Sequence, residues 1–199
     1  MLRRLLLLIA FTTIPAQPVG AAVATPSATP DTAECTLEPL QPEVLAEIAA
    51  QPPVPEHDLT PASQTPAADD VAAATQIIEQ SLACTNANQP LAALAAYTDR
   101  YLNERFGGDA GSDELGHLLA AATRNPDPAA PEDVIVPVQV ADPVLYSDGR
   151  LGLTVVTANA TGTFTDRLIL ARAGGLWKID EAILGGGPES TPASPVAQP

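Results

Sequence analysis

YSDGRLGLTVVTANATGTFTDRLILARAGGLWKIDEAI, residues 146–183, falls into runs of period two separated by glycine-bearing turns. Asp148-Gly149 is a pair favoured in two-residue hairpin turns. It separates a strand from Leu151 to about Ala158 from an upstream run in which Val134, Val136, Val138 and Val140 share one side. Pro137 interrupts that run, which places it at a sheet edge or at a bulge. Asn159-Ala-Thr-Gly162 turns the chain into Thr163–Arg172, and Gly174-Gly175 turns it into Leu176–Ile183. Successive hairpins of this kind predict an antiparallel meander of about four strands.

Upstream the apolar period lengthens to three and four. Val71, Ala74, Ile78 and Leu82 form one stripe of a helix that Asp69 or Asp70 caps and that runs to Cys84, before Asn86 and Asn88 break it. Pro90 opens a second helix whose face is Leu91, Leu94, Ala95, Thr98, Tyr101 and Leu102, and Phe106-Gly107-Gly108 ends it. A third helix starts after Ser112 as N-cap, carries Leu115, Leu118, Leu119 and Ala122 inward, and stops at Asn125-Pro126-Asp127-Pro128. Helices first and strands after predict an α+β domain over residues 69–184, three helices packed on one face of a curved antiparallel sheet.

The ends of the chain read differently. Arg3 and Arg4, the apolar run Leu5–Phe11 and the small-residue stretch Ala22-Val23-Ala24 have the pattern of a cleaved signal peptide over residues 1–24. The apolar run is shorter than the ~20 residues a spanning helix needs, an uncleaved anchor being the alternative. Residues 25–68 are dense in Pro, Thr and Ala and read mostly as linker, with a short helical strap near 42–49; residues 185–199 read as a disordered Pro/Ser/Gly tail. Cys35 and Cys84 are the two cysteines, an even count that predicts one disulfide in an oxidising compartment, against a pair of buried free thiols. Such a bridge would hold Leu37, Leu40, Val44, Leu45 and Ile48 over the helices and leave His57–Ala68 as a free loop. The formal charge of −15 becomes −17 once Arg3 and Arg4 are removed, and Lys178 is the one lysine. Such a surface disfavours nucleic acid and anionic membranes as partners.

Two local patterns and the order of elements resemble the nuclear transport factor 2-like superfamily, the cone fold shared with ketosteroid isomerase and small polyketide cyclases. Pro90-Leu-Ala-Ala-Leu-Ala-Ala-Tyr-Thr-Asp99 is similar to the family's second helix, and Gly174-Gly-Leu-Trp-Lys-Ile-Asp180 to its closing strand. The resemblance covers about residues 69–184 and implies a concave sheet around a helix, with a pocket inside. In many catalytic members a strand follows the second helix directly and helps carry the general base. Arg100–Phe106 reads here as more helix, which leaves the usual place of that base absent or displaced.

The sequence holds no serine-nucleophile elbow, no His-x-x-x-His or His-Glu-x-x-His metal motif and no phosphate loop before a helix, so no cofactor and no metal is expected. Ligand-pocket candidates are Tyr97, Tyr101, Arg167 and Trp177. The tyrosines, one helical turn apart, would point phenols into the cone or simply pack with hydroxyls at the rim. Arg167, on the side of its strand opposite Leu168 and Leu170, would receive a carboxylate ligand or pair across strands with an acid such as Asp180. Trp177 and Ile179 alternate with Lys178 and Asp180, which fits core packing. Asp99 is a base candidate only if buried, its neighbours Arg100 and Asn103 suggesting a solvated face. His117 stands off the apolar face of its helix. The expected function is an exported, non-catalytic binding or interaction module with room for an apolar small ligand. The alternatives are a ketosteroid isomerase-like enzyme with a tyrosine donor and Asp99 as base, and a domain that forms homodimers through its sheet.

Overall fold

The computed structural model describes residues 34–55, 59–123 and 127–185. The expected signal peptide, His57, Asn125-Pro126 and the tail from Gly186 onward lie outside the described residues. Helices come first and a four-stranded antiparallel sheet follows, the α+β arrangement read from the sequence. The strands β1 (Val136–Leu145), β2 (Leu151–Asn159), β3 (Gly162–Ala173) and β4 (Leu176–Leu184) lie in chain order, each paired with the next.

Each turn follows from its residues. Gly174 and Gly175 both have positive φ, 59° and 85°, the conformation that a two-residue turn between right-twisted strands requires. At the first hairpin Tyr146 N–H donates to Arg150 O at 2.8 Å, so the loop has three residues instead of the expected two, and Gly149 takes the left-handed position with φ 86°. The first strand also departs from expectation. Val136 faces Ala158 while Val140 faces Val155, an odd offset along β2, so the two valines cannot share a side. The irregularity lies between Pro137 and Gln139, where the missing proline N–H breaks the ladder; Val138 is 60 % exposed there, while Val140 packs on the core.

Among the described residues five helices precede the sheet: α1 (Pro42–Ala49), α2 (Ala68–Asn86), α3 (Pro90–Leu94), α4 (Asp99–Phe106) and α5 (Gly108–Ala122). Ala67 is the N-cap of α2, so Asp69 and Asp70 fall in the first turn, and Asp70 is taken by Arg172 instead of a cap. The expected second helix is two. Between α3 and α4 the chain runs beside β4 in parallel, with Ile179 N–H donating to Ala96 O at 2.8 Å and Thr98 N–H to Ile179 O at 2.9 Å. Thr98 then caps α4, its hydroxyl oxygen accepting from Tyr101 N–H at 3.2 Å. The strand-like step is a single bridged residue, Tyr97 opposite Ile179, and Arg100–Phe106 is helix, as expected. The third helix begins at Gly108, four residues before the expected cap Ser112, whose hydroxyl donates to Asp109 O inside the helix.

The main core lies between α2 and the sheet, where Ala74 and Ile78 meet Leu151, Leu153, Val155, Leu170, Trp177 and Ile179. At the end of α2, Asn86 pairs its side-chain amide with both backbone groups of Ile135, at 2.8 and 2.9 Å, in the manner of a strand partner. A second core joins Leu94, Leu102 and Phe106 to the strap residues Leu45 and Ile48. These two side chains are 0 % and 4 % exposed, each burial contributing about 1.5–3 kcal/mol.

The strap is held at both ends. Cys35 and Cys84 form the disulfide, and Asn103 Nδ2 donates to Ile48 O at 3.0 Å and Gln51 O at 2.8 Å, closing the open end of α1. Asn103 is thus buried, not solvated. Nor are all of residues 57–68 a free loop, because Ala62 N–H donates to Leu145 O and Ser147 N–H to Thr60 O, both at 2.8 Å, so this piece lines the first hairpin. Among the described residues no helix is long and apolar enough to cross a membrane.

Replacing both cysteines with serine is expected to lower stability by up to ~4 kcal/mol, the loop-entropy value for a separation of 49 residues, and to speed hydrogen exchange over residues 35–50. Two glycines of α5 give a paired test by denaturant melts. A Cβ on Gly116 meets nothing within 4 Å, so Gly116→Ala should stabilise by about 0.5–1 kcal/mol. One on Gly111 would lie 2.4 Å from the Phe106 carbonyl carbon, so Gly111→Ala should destabilise despite its better helix propensity.

Candidate functional site

The α2–α3 turn, the break after α3, and helices α4 and α5 surround a cavity of about 390 Å³. Leu94, Phe106, Leu118, Ala93 and Pro90 form its apolar wall; Thr85, Asn88, Tyr97, Tyr101 and Arg105 supply its polar groups. Asn88 reaches it from a left-handed backbone, φ 53°, a conformation asparagine tolerates better than most residues. The helix break sets the geometry of the tyrosines. Because Tyr97 precedes the Thr98 cap and Tyr101 follows it, they do not stand one turn apart on a common helix. Their rings stack instead, with centroids 4.6 Å apart and planes 27° from parallel.

Burial pushes the Tyr97 phenol above its ordinary value, and the Ser81 hydroxyl beside it offsets only part of that effect. Tyr97 therefore remains a neutral hydrogen-bond donor through the physiological range. Burial works against the Arg105 charge too, but the hydrogen bond to Glu114 and the nearby Tyr101 phenol outweigh it and hold the guanidinium charged. Arg105 Nη2 lies 2.5 Å from Glu114 Oε1, and its Cζ stands 5.7 Å from the Phe106 ring centroid. Among the described residues, those lining the cleft include a cation and several donors, and no carboxylate.

Of the four pocket candidates, Tyr97 and Tyr101 line this cleft and Arg167 and Trp177 do not. The Arg167 guanidinium lies over Gly152, where a Cβ would come within 2.8 Å of it, and donates to Asp142 O at 2.9 Å and Thr154 Oγ1 at 3.0 Å. Its expected partner Asp180 is bound elsewhere. Trp177 is 6 % exposed in the main core, with the Arg172 guanidinium 4.7 Å above its ring. Asp99 is exposed at the first position of α4 and His117 is exposed on α5; neither lines the cleft. Arg105 and Asn88 were not singled out in the sequence. Tyr101 and Arg105 are four apart on α4, a spacing that puts both on one face and was the available signal.

A second polar cluster lies where α4, the first hairpin and β4 meet. Asp180 Oδ1 accepts from Thr98 Oγ1 at 2.7 Å, and Oδ2 accepts from Arg100 Nε at 3.0 Å and Arg150 Nη1 at 3.2 Å. Arg150 also donates from Nε to Asp148 Oδ2 at 2.7 Å, and Glu181 stands 3.7 Å from both arginines. Asp180 and Arg150 are 4 % and 5 % exposed, and both Asp180 oxygens are engaged, so the cluster is a clamp between elements. Arg150 Nη2 has no hydrogen-bond partner among the described residues, the remaining cost of burying it. Among the described residues no group of three or more His, Cys, Asp or Glu side chains is placed to hold a metal ion.

Burial alone would raise the Asp180 carboxyl, but Arg100, Thr98 and Arg150 outweigh it and hold the group below its ordinary range. A depressed carboxyl contributes stability that is complete above its unfolded value and is lost as pH falls through the folded one. Asp180→Asn should therefore cost about 3–5 kcal/mol at pH 7, leaving two arginines without their shared anion. In urea melts the deficit should begin to narrow below about pH 4, where the unfolded chain takes up the proton, and should close only once pH has fallen through the depressed folded-state value. A deficit independent of pH would refute the assignment.

Compared with models of known families, with curated proteins and with solved structures, the chain gives no match in any of the three.

Proposed function

We propose that the mature chain is an exported, non-catalytic binding module, a divergent relative of the nuclear transport factor 2-like superfamily, whose small ligand sits in the helical cleft at Tyr97 and Tyr101. The observation that carries the proposal is the cleft itself. Its volume of about 390 Å³ falls in the range of small-molecule sites, and apolar walls with a few convergent polar groups are the usual composition of such sites. Support for export comes from the Arg3-Arg4 and Leu5–Phe11 pattern and from the Cys35–Cys84 bridge, which is at home in an oxidising compartment. Support for the superfamily comes from the helices-then-meander order and the strand-like step at Ala96–Thr98.

The non-catalytic reading rests on the placement of the carboxylates. A ketosteroid isomerase-like mechanism needs a base within hydrogen-bond reach of the same substrate that a tyrosine polarises. Asp99 is exposed outside the cleft, and Asp180 is spent on Arg100 and Arg150.

Thermal-shift screening of the secreted protein against small amphipathic compounds tests the proposal. A one-site ligand at a hundred times its Kd should add ~2.7 kcal/mol of stability. Leu118→Trp, which fills the cleft from α5, should abolish the shift while leaving the unliganded melt close to that of the parent. Ligands that shift both proteins equally would place the site elsewhere, and a library that shifts neither would defeat the small-ligand reading.

A further inference from the structure

Among the described residues the cleft has one cationic side chain, and a carboxylate of the chain itself already occupies it. Arg105 donates to Glu114 at 2.5 Å, yet Glu114 is not among the residues lining the cavity; it reaches Arg105 from α5 at the rim. Arg105 and Glu114 side chains are 48 % and 47 % exposed, so water is at hand to solvate Glu114 when it lets go. An ion pair this exposed holds weakly. The guanidinium has two further neighbours besides Glu114, the Tyr101 phenol and the Phe106 ring, whose centroid lies 5.7 Å from its Cζ. A guanidinium fork at the cleft and a releasable carboxylate are what an exchange site for an external carboxylate needs.

The other polar groups agree in sign. Tyr97 and Tyr101 offer phenol donors, and no lining residue among those described is acidic, in a chain whose formal charge is −15. A cationic ligand would meet Arg105, and a neutral one would leave its charge unused. Resting on the reading of the cleft as a binding site, we propose that its ligand is an amphipathic organic acid. The ligand carboxylate replaces Glu114 on Arg105, and its apolar body lies between Leu94, Leu118 and the Tyr97 ring.

A matched pair of probes, 2-naphthoate and the uncharged 2-naphthamide, tests the inference by titration of the oxidised, secreted protein at pH 7. Naphthoate is expected to bind at least tenfold more tightly than the amide. Glu114→Gln removes the internal competitor from an exposed position and should tighten naphthoate about two- to fivefold, the worth of an exposed ion pair, with no effect on the amide. Arg105→Gln should erase the preference for the acid, its unliganded melting temperature serving as the control for folding. Equal binding of acid and amide, or a Glu114→Gln variant that tightens neither, would overturn the acid inference and leave the binding module standing. If neither probe binds the parent or the Glu114→Gln protein, the acid inference falls, while the binding-module reading falls only if the library screen is also empty.

Discussion

Three residues, Ala96 to Thr98, lie against one residue of β4, and the two backbone hydrogen bonds to Ile179 set the relation of the helical layer to the sheet. An alanine-rich run from Pro90 would otherwise continue as one helix, since alanine is the strongest helix former. The sheet edge offers its unpaired N–H and C=O instead, and the chain leaves the helix to meet them. Thr98 serves both sides of the joint. Its oxygen caps α4 and its hydroxyl hydrogen goes to Asp180, so the start of the helix and the end of the sheet share one side chain.

From that joint the rest of the helical layer follows. Turning the chain at Thr98 sends α4 away from α3 at an angle, which stacks Tyr97 on Tyr101 and opens the space that becomes the cleft. The disulfide-anchored strap then closes the far side of α4 by laying Leu45 and Ile48 against Leu102 and Phe106. The acidic surface and the four arginines at functional or structural points are two aspects of one economy. With few cations available, Arg100 and Arg150 are committed to Asp180, Arg167 spans β2 and the Asp142 carbonyl, and Arg105 is the one arginine among the described residues that faces the cleft.

The legible parts of the sequence were those decided locally. Gly174-Gly175 and Asn159-Ala-Thr-Gly162 specify their turns within four residues, and the meander followed from them. The strap helix was readable because Pro42 marks its first turn and two cysteines admit one pairing. The break in the second helix was not readable from propensity, because its cause, Ile179, lies more than eighty residues away; the Thr98-Asp99 cap was the one local trace of it. The Asp180 clamp failed for the same reason. Its partners sit 82, 80 and 30 residues distant, and nothing near Asp180 distinguishes Arg150 from Arg167 as its cation. The cleft was legible in half. The sequence points to the tyrosines but to the concave sheet as their place, because its spacing puts both on a single helix.

The double attachment of the N-terminal segment has a consequence for how cutting the chain would affect it. Residues 35–51 are tied to α2 and α4 by the disulfide and by Asn103, and residues 60–62 are tied separately to the first hairpin. Within the connection between Gln51 and Leu59 the described residues 52–55 carry no part of either attachment, and residues 51–55 are exposed. A protease that nicks this connection severs the chain without releasing the strap, so the two pieces would migrate as one species until a reductant opens the bridge. The covalent continuity of the fold runs through sulfur there as well as through peptide bonds.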